Sequence, residues 1–172
     1  GRVDAGTYLR EVHRAEGKIG SVYDSNVTAY DPFPWSAEQQ SNDPILDALI
    51  APTTSAMVDF VTRVVGWKTT APYHALSYDV NRAWDRGKPD DTPVQDLRKA
   101  IANDPNMAVM IAHGWDDLSC PFMASRLIVD QMPAFGAAQR VKLDIYPGGH
   151  MFYSRTDSGA KFKDDARALF QR

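Results

Sequence analysis

The stretch AVMIAHGWDD, residues 108–117, decides the fold. Ala108 to Ala112 is a short, continuous apolar run, the pattern of a strand buried on both faces of a parallel sheet. The chain turns at His113-Gly114-Trp115-Asp116-Asp117, and Pro121 then starts a helix through Gln131 with Ala124, Leu127 and Ile128 on one side. VKLDIY, residues 141–146, alternates as a second strand, and Pro147-Gly148-Gly149-His150 breaks it. A last helix, Gly159 to Phe170, places Phe162, Ala166, Leu169 and Phe170 on one face. Strand, loop, helix, strand, loop, helix is a βαβα unit of an open parallel sheet, and the fold class is α/β.

Upstream of this unit the pattern changes. Thr92-Pro93-Val94-Gln95 is a capping box that opens a helix with Val94, Leu97 and Ile101 inward, and residues 92–172 form the sheet-bearing core. Residues 1–91 read as a mostly helical, cap-like insertion. There, Gly6 to Glu16 is helical and stops at Gly17; residues 18–42 are loop with at most short strands; Asp43-Pro44 starts a helix that Pro52 interrupts. Met57, Phe60, Val61 and Val64 then form a helical packing stripe, ended by Gly66.

With 44% hydrophobic and 24% charged residues, the 172-residue chain suits one soluble domain or a large piece of one. The net charge of −3, with Lys and Arg scattered, excludes a nucleic-acid footprint. No stretch approaches the length of a membrane span, and the N-terminus lacks the apolar region of a signal peptide. A chain that begins Gly-Arg-Val in a helix-like pattern reads as cut. The single cysteine, Cys120, forms no disulfide within the chain and leaves the compartment open.

In open α/β sheets, working residues sit in loops beyond the carboxyl ends of strands. One such loop carries Asp116 and Asp117, the other His150. The order Asp, then His, matches the last two members of a Ser-Asp-His triad on an α/β-hydrolase sheet. A serine hydroxyl needs a base to take its proton, His suits that near neutral pH, and a carboxylate on its far nitrogen holds the tautomer. Gly148 and Gly149 allow the tight turn that brings His150 over the site. The serine is missing: no G-x-S-x-G occurs in the chain, and none of its serines, Ser119 included, lies in a strand-to-helix elbow.

The segments AHGWDDLSCPF, from Ala112, and IYPGGHMFY, from Ile145, resemble the end of serine carboxypeptidases, especially the bacterial branch. Tyr23-Asp24-Ser25 and Asn81-Arg82-Ala83-Trp84 are similar to further stretches of that branch, so the resemblance runs roughly from residue 10 to the end. It implies the C-terminal part of an α/β-hydrolase, with Asp117 as the triad carboxylate, His150 as general base and Met151 lining the pocket for the leaving residue. It also implies a peptide substrate, a secreted or periplasmic location, no cofactor, and a nucleophile on an N-terminal part of the same hydrolase.

Plainer roles stand beside these. Asp117 alone also suits a helix N-cap, a role assigned to Asp116, and His150 alone suits a surface turn. His113 reads as structural, packed at a strand end. A metal set of His113, Asp117 and His150 lacks recognisable ligand spacing and is set aside. Cys120 is a buried small apolar residue or a wall of the site, and Trp115 suits a pocket wall as well as a core position. Three functions compete: a carboxypeptidase part, another Ser-Asp-His hydrolase such as an esterase or acyltransferase, and a non-catalytic binding module. With two strands of a larger sheet, the chain is expected to pair with an N-terminal segment or to self-associate through the open edge.

Overall fold

Asp4 accepts a hydrogen bond from the Thr7 backbone N–H and so caps helix α1, Ala5–His13. A 3₁₀ turn over Arg14–Glu16 follows, and Gly17, at φ 66°, turns the chain into strand β1, Lys18–Gly20. The computed structural model describes residues 3–37, 43–88, 93–136 and 140–171. β1 pairs antiparallel with β2, Thr28–Tyr30, so the short strands expected in this region form a hairpin. Leu9 and Ile19 are buried, and the Leu9 side chain fills the space over Gly20.

Asp43 caps the next helix, α2 (Pro44–Asp59), by accepting from the Ile45 and Leu46 backbone N–H groups, with Pro44 in the first turn. Pro52 does not interrupt it, contrary to expectation, and a π-helical turn, Phe60–Val64, extends it. Proline removes one backbone bond, whereas nucleating a helix is the costly step, so propagation continues past it. The run Pro44–Val64 spans 21 residues at a mean hydropathy of 1.3, long and apolar enough to cross a membrane by length and composition alone. That corrects the expectation that no stretch reaches this length. Of the expected packing stripe, Met57 and Val61 are half-buried while Phe60 and Val64 are exposed.

Ser77 caps α3, Tyr78–Ala83. α4 spans Pro93–Asn103 with Ile101 buried and Val94 and Leu97 half-buried, while Thr92 of the expected capping box lies outside the described residues. Strand β3 is Val109–Gly114, α5 is Phe122–Asp130, β4 is Val141–Tyr146 and α6 is Thr156–Phe170. β3 and β4 are parallel, in register from Val109 opposite Val141 to Gly114 opposite Tyr146, with α5 as the crossover. The class is therefore α/β, as the apolar pattern implies.

The core of this half is aromatic. Tyr146 stacks on Phe152 at 4.8 Å between ring centroids, and Phe162 meets both edge-on. The Tyr146 hydroxyl donates to Asp165 at 2.8 Å; burial first, and that carboxylate second, push the phenol well above its ordinary range.

Three packing expectations change. β3 is half-buried along most of its length rather than covered on both faces, Ala124 and Leu127 on α5 are exposed, and Phe170 at the end of α6 is 86% exposed. The cause is common to all three: among the described residues the parallel sheet has two strands, too few to cover these faces.

Candidate active site

Because β3 and β4 are parallel neighbours in register, the loops after their last residues emerge side by side. Gly114 is needed where those loops touch: a Cβ there would lie 2.0 Å from the Gly149 carbonyl oxygen. Trp115 N–H donates to the Tyr146 carbonyl and Asp116 N–H to the Gly148 carbonyl, continuing the ladder past the strands. Gly148 itself sits at φ 113°, a backbone conformation L side chains rarely adopt.

This arrangement brings His150 Nδ1 to 2.8 Å from Asp117 Oδ2, across 33 residues of sequence. Asp117 is 4% exposed, and its other oxygen, Oδ1, accepts the backbone N–H of Ser119 at 2.9 Å and of Cys120 at 2.8 Å. The carboxylate thus works as a local turn cap and as the partner of His150 at once, and the two roles do not compete. A carboxylate at Nδ1 makes that nitrogen the protonated one, leaving Nε2 as the acceptor. The His150 side chain is 41% exposed, so the imidazole is in reach of solvent. The turn-carboxylate role expected of Asp116 falls to Asp117, while the Asp116 backbone accepts from Ser25 N–H and donates to the Gly148 carbonyl.

His113 has both ring nitrogens engaged next to the strand end, in keeping with the structural role expected of it. Its Nδ1 lies 3.0 Å from the Cys120 carbonyl and its Nε2 2.8 Å from the Ser125 hydroxyl. The carbonyl only accepts, so Nδ1 carries the proton and Nε2 accepts from the serine. Cys120 is exposed, not buried, and its sulfur belongs to one cluster with Asp117 and His150. Trp115 is 55% exposed and packs edge-on against Phe122. Met151, half-buried, lines a hollow of about 310 Å³ together with Tyr23, Ile45, Leu49, Gly149 and Arg155, and His150 does not line it. Trp115 and Cys120 do not line that hollow.

One set of contributors is not derivable from local sequence: residues 22–25. His150 N–H donates to the Tyr23 carbonyl at 2.6 Å, and the Tyr23 ring meets the His150 ring edge-on at 5.4 Å. Gly149 N–H donates to Asp24 Oδ2 at 3.1 Å, and the Val22 carbonyl accepts from both Leu118 and Ser119. Asp43 supports this segment by accepting from the Ser21 hydroxyl and the Val22 N–H while also capping α2. One short segment from the N-terminal half therefore clamps both loops of the C-terminal half. Its residue types carry no periodicity that announces this; only the likeness of Tyr23-Asp24-Ser25 to a family stretch singles it out. No family model matches the chain, and no curated protein or solved structure matches it either.

Proposed function

We propose that this chain is the acid–base part of a serine-type α/β-hydrolase, and that the whole enzyme releases C-terminal residues from peptides. The observation that carries this reading is the Asp117–His150 hydrogen bond at 2.8 Å, on loops that follow adjacent parallel strands. In the proposed reaction, His150 Nε2 takes the proton of a serine hydroxyl as its oxygen attacks the scissile carbonyl. The same nitrogen then gives that proton to the departing amine, and repeats the cycle with water to free the acyl group. Asp117 holds the tautomer and stabilises the imidazolium, and its burial with full hydrogen bonding keeps its orientation fixed. The hollow bounded by Met151, Tyr23 and Ile45 is the proposed seat of the leaving residue. The serine lies on a further segment of the enzyme in this reading.

The test is peptide release by the full-length protein encoded with this chain. His150→Ala is expected to cut the rate about 10⁴-fold or more. C-terminally amidated peptides are expected to be refused, whereas an esterase or acyltransferase with the same dyad would not discriminate against them. Unchanged hydrolysis by His150→Ala would sink the reading.

A further inference from the structure

We propose that Asp117, Cys120 and His150 form a binding site for a thiophilic divalent cation of the zinc type, and that its occupancy switches the dyad off. One donor atom from each of the three residues lies within 4.8 Å of the other two. A carboxylate oxygen, a thiolate and an imidazole nitrogen are a mixed O, S, N set of the kind that binds zinc, and the sulfur disfavours calcium and magnesium. With zinc–donor bonds of the usual lengths, tetrahedral donors lie about 3.4–3.6 Å apart. Closing around an ion through His150 Nδ1 therefore parts it from Asp117 Oδ2, now 2.8 Å away, by about 0.6 Å, while a wider pair draws in by up to about 1.4 Å.

The backbone around the sulfur is fixed on both sides. Cys120 N–H donates to Asp117 Oδ1 at 2.8 Å, and the Cys120 carbonyl accepts from His113 at 3.0 Å. His113 is in turn held by the Ser125 hydroxyl at 2.8 Å. This cysteine is thus placed against the dyad by Asp117 itself and by two residues outside the proposed ligand set, His113 and Ser125. Access is direct, because Cys120 is exposed and His150 is 41% exposed, and three protein donors leave a fourth position for water.

Binding forms the metal–sulfur bond as the thiol releases its proton to solvent, with no change of oxidation state. A metal at His150 Nδ1 replaces the hydrogen bond to Asp117, and the ring proton moves through solvent to Nε2, so Nε2 no longer accepts a serine proton. The switch rests on the reading of His150 as a general base; the metal site does not.

The experiment is zinc titration of this chain against a chromophoric chelator, with cobalt(II) as a spectroscopic substitute. Wild type is expected to bind one ion at micromolar zinc, with a thiolate-to-cobalt charge-transfer band in the near ultraviolet. Cys120→Ser should abolish the band and weaken zinc binding at least about 10-fold, and His150→Ala should weaken it similarly. Thermal midpoints confirm that each variant folds. Zinc binding equal to wild type in Cys120→Ser, or no binding by the wild type, would overturn the proposal. In the full-length protein, zinc should inhibit peptide release, and Cys120→Ser should resist it relative to its own metal-free rate. Inhibition undiminished in Cys120→Ser would remove the switch. An inactive full-length protein whose zinc binding still needs Cys120 and His150 would instead remove the hydrolase reading and leave the site standing.

Discussion

Asp117 accepts two backbone N–H bonds at one oxygen and His150 at the other, so an amide in its place can keep the first pair and lose only the third. Asp117→Asn is then expected to leave the loop intact but to present an NH₂ group to Nδ1, which moves the imidazole proton to Nε2. Nitrogen NMR of this chain should show that tautomer exchange, and full-length activity should fall about 10⁴-fold. A retained Nδ1–H signal would contradict the assigned geometry. The neighbouring glycines fail differently. A Cβ on Gly149 would lie 2.0 Å from the Tyr23 carbonyl and 2.6 Å from Asp24 Cα, contacts with backbone that cannot swing away. Gly149→Ala should lower stability by about 1–3 kcal/mol or more in denaturant titration and separate the His150 loop from residues 22–25. At this scale sequence is informative about chemistry and silent about company. Asp117 and His150 are legible because strand-end loops and the Asp-then-His order are local patterns. The contact of Gly149 with Asp24 spans 125 residues, and no spacing rule reaches that far.

Among the elements, α1 is tied to the loop after β2 by one buried ion pair. Arg10 Nε lies 3.0 Å from Asp31 Oδ2, with side chains 5% and 1% exposed. The second guanidinium nitrogen donates to the Phe33 and Ser36 carbonyls. Removing the cation by Arg10→Ala leaves a covered carboxylate unpaired and should cost about 3–5 kcal/mol. The pair also sets an acid limit. Desolvation raises the Asp31 pKa, but the Phe33 N–H and the Arg10 guanidinium outweigh it and hold the group below the usual carboxylate range. A carboxylate with a lowered folded pKa contributes fully above its unfolded value and loses that contribution as pH falls toward the folded one. The thermal midpoint of wild type should therefore drop below the ordinary carboxylate range, and Arg10→Ala should show a shallower drop. Nothing in the local sequence pattern around Arg10 announces this tie. Helix existence was legible at α1, α2, α4, α5 and α6, because caps and period are local. The continuity of α2 through Pro52 was not, because one missing bond signals a break only when the flanking turns are weak.

The whole molecule exposes 12392 Å² of surface, against about 8,400 Å² for a compact folded protein of 19.1 kDa. All four tryptophans, Trp35, Trp67, Trp84 and Trp115, are more than half exposed. β3 and β4 each have one strand neighbour among the described residues, so each offers an unpaired edge as well as half-covered faces. Apolar surface and open strand edges of this kind drive association, because a partner buries the first and completes the hydrogen bonds of the second. Sequence made the edge legible, since two strands cannot cover each other on both faces. It did not reveal which apolar residues would be left outside, because periodicity names a face without saying whether anything lies against it. The expected outcome for this chain in isolation is concentration-dependent self-association in sedimentation velocity, with strong binding of a hydrophobic dye. Lysine in place of Met110 or Ile111, half-buried on β3, should weaken both. Supplying the proposed nucleophile-bearing segment should suppress both and let His150 report a serine partner through peptide release. A strictly monomeric, dye-silent chain at all concentrations would mean that these faces are satisfied within the molecule, and the pairing argument would fail with them.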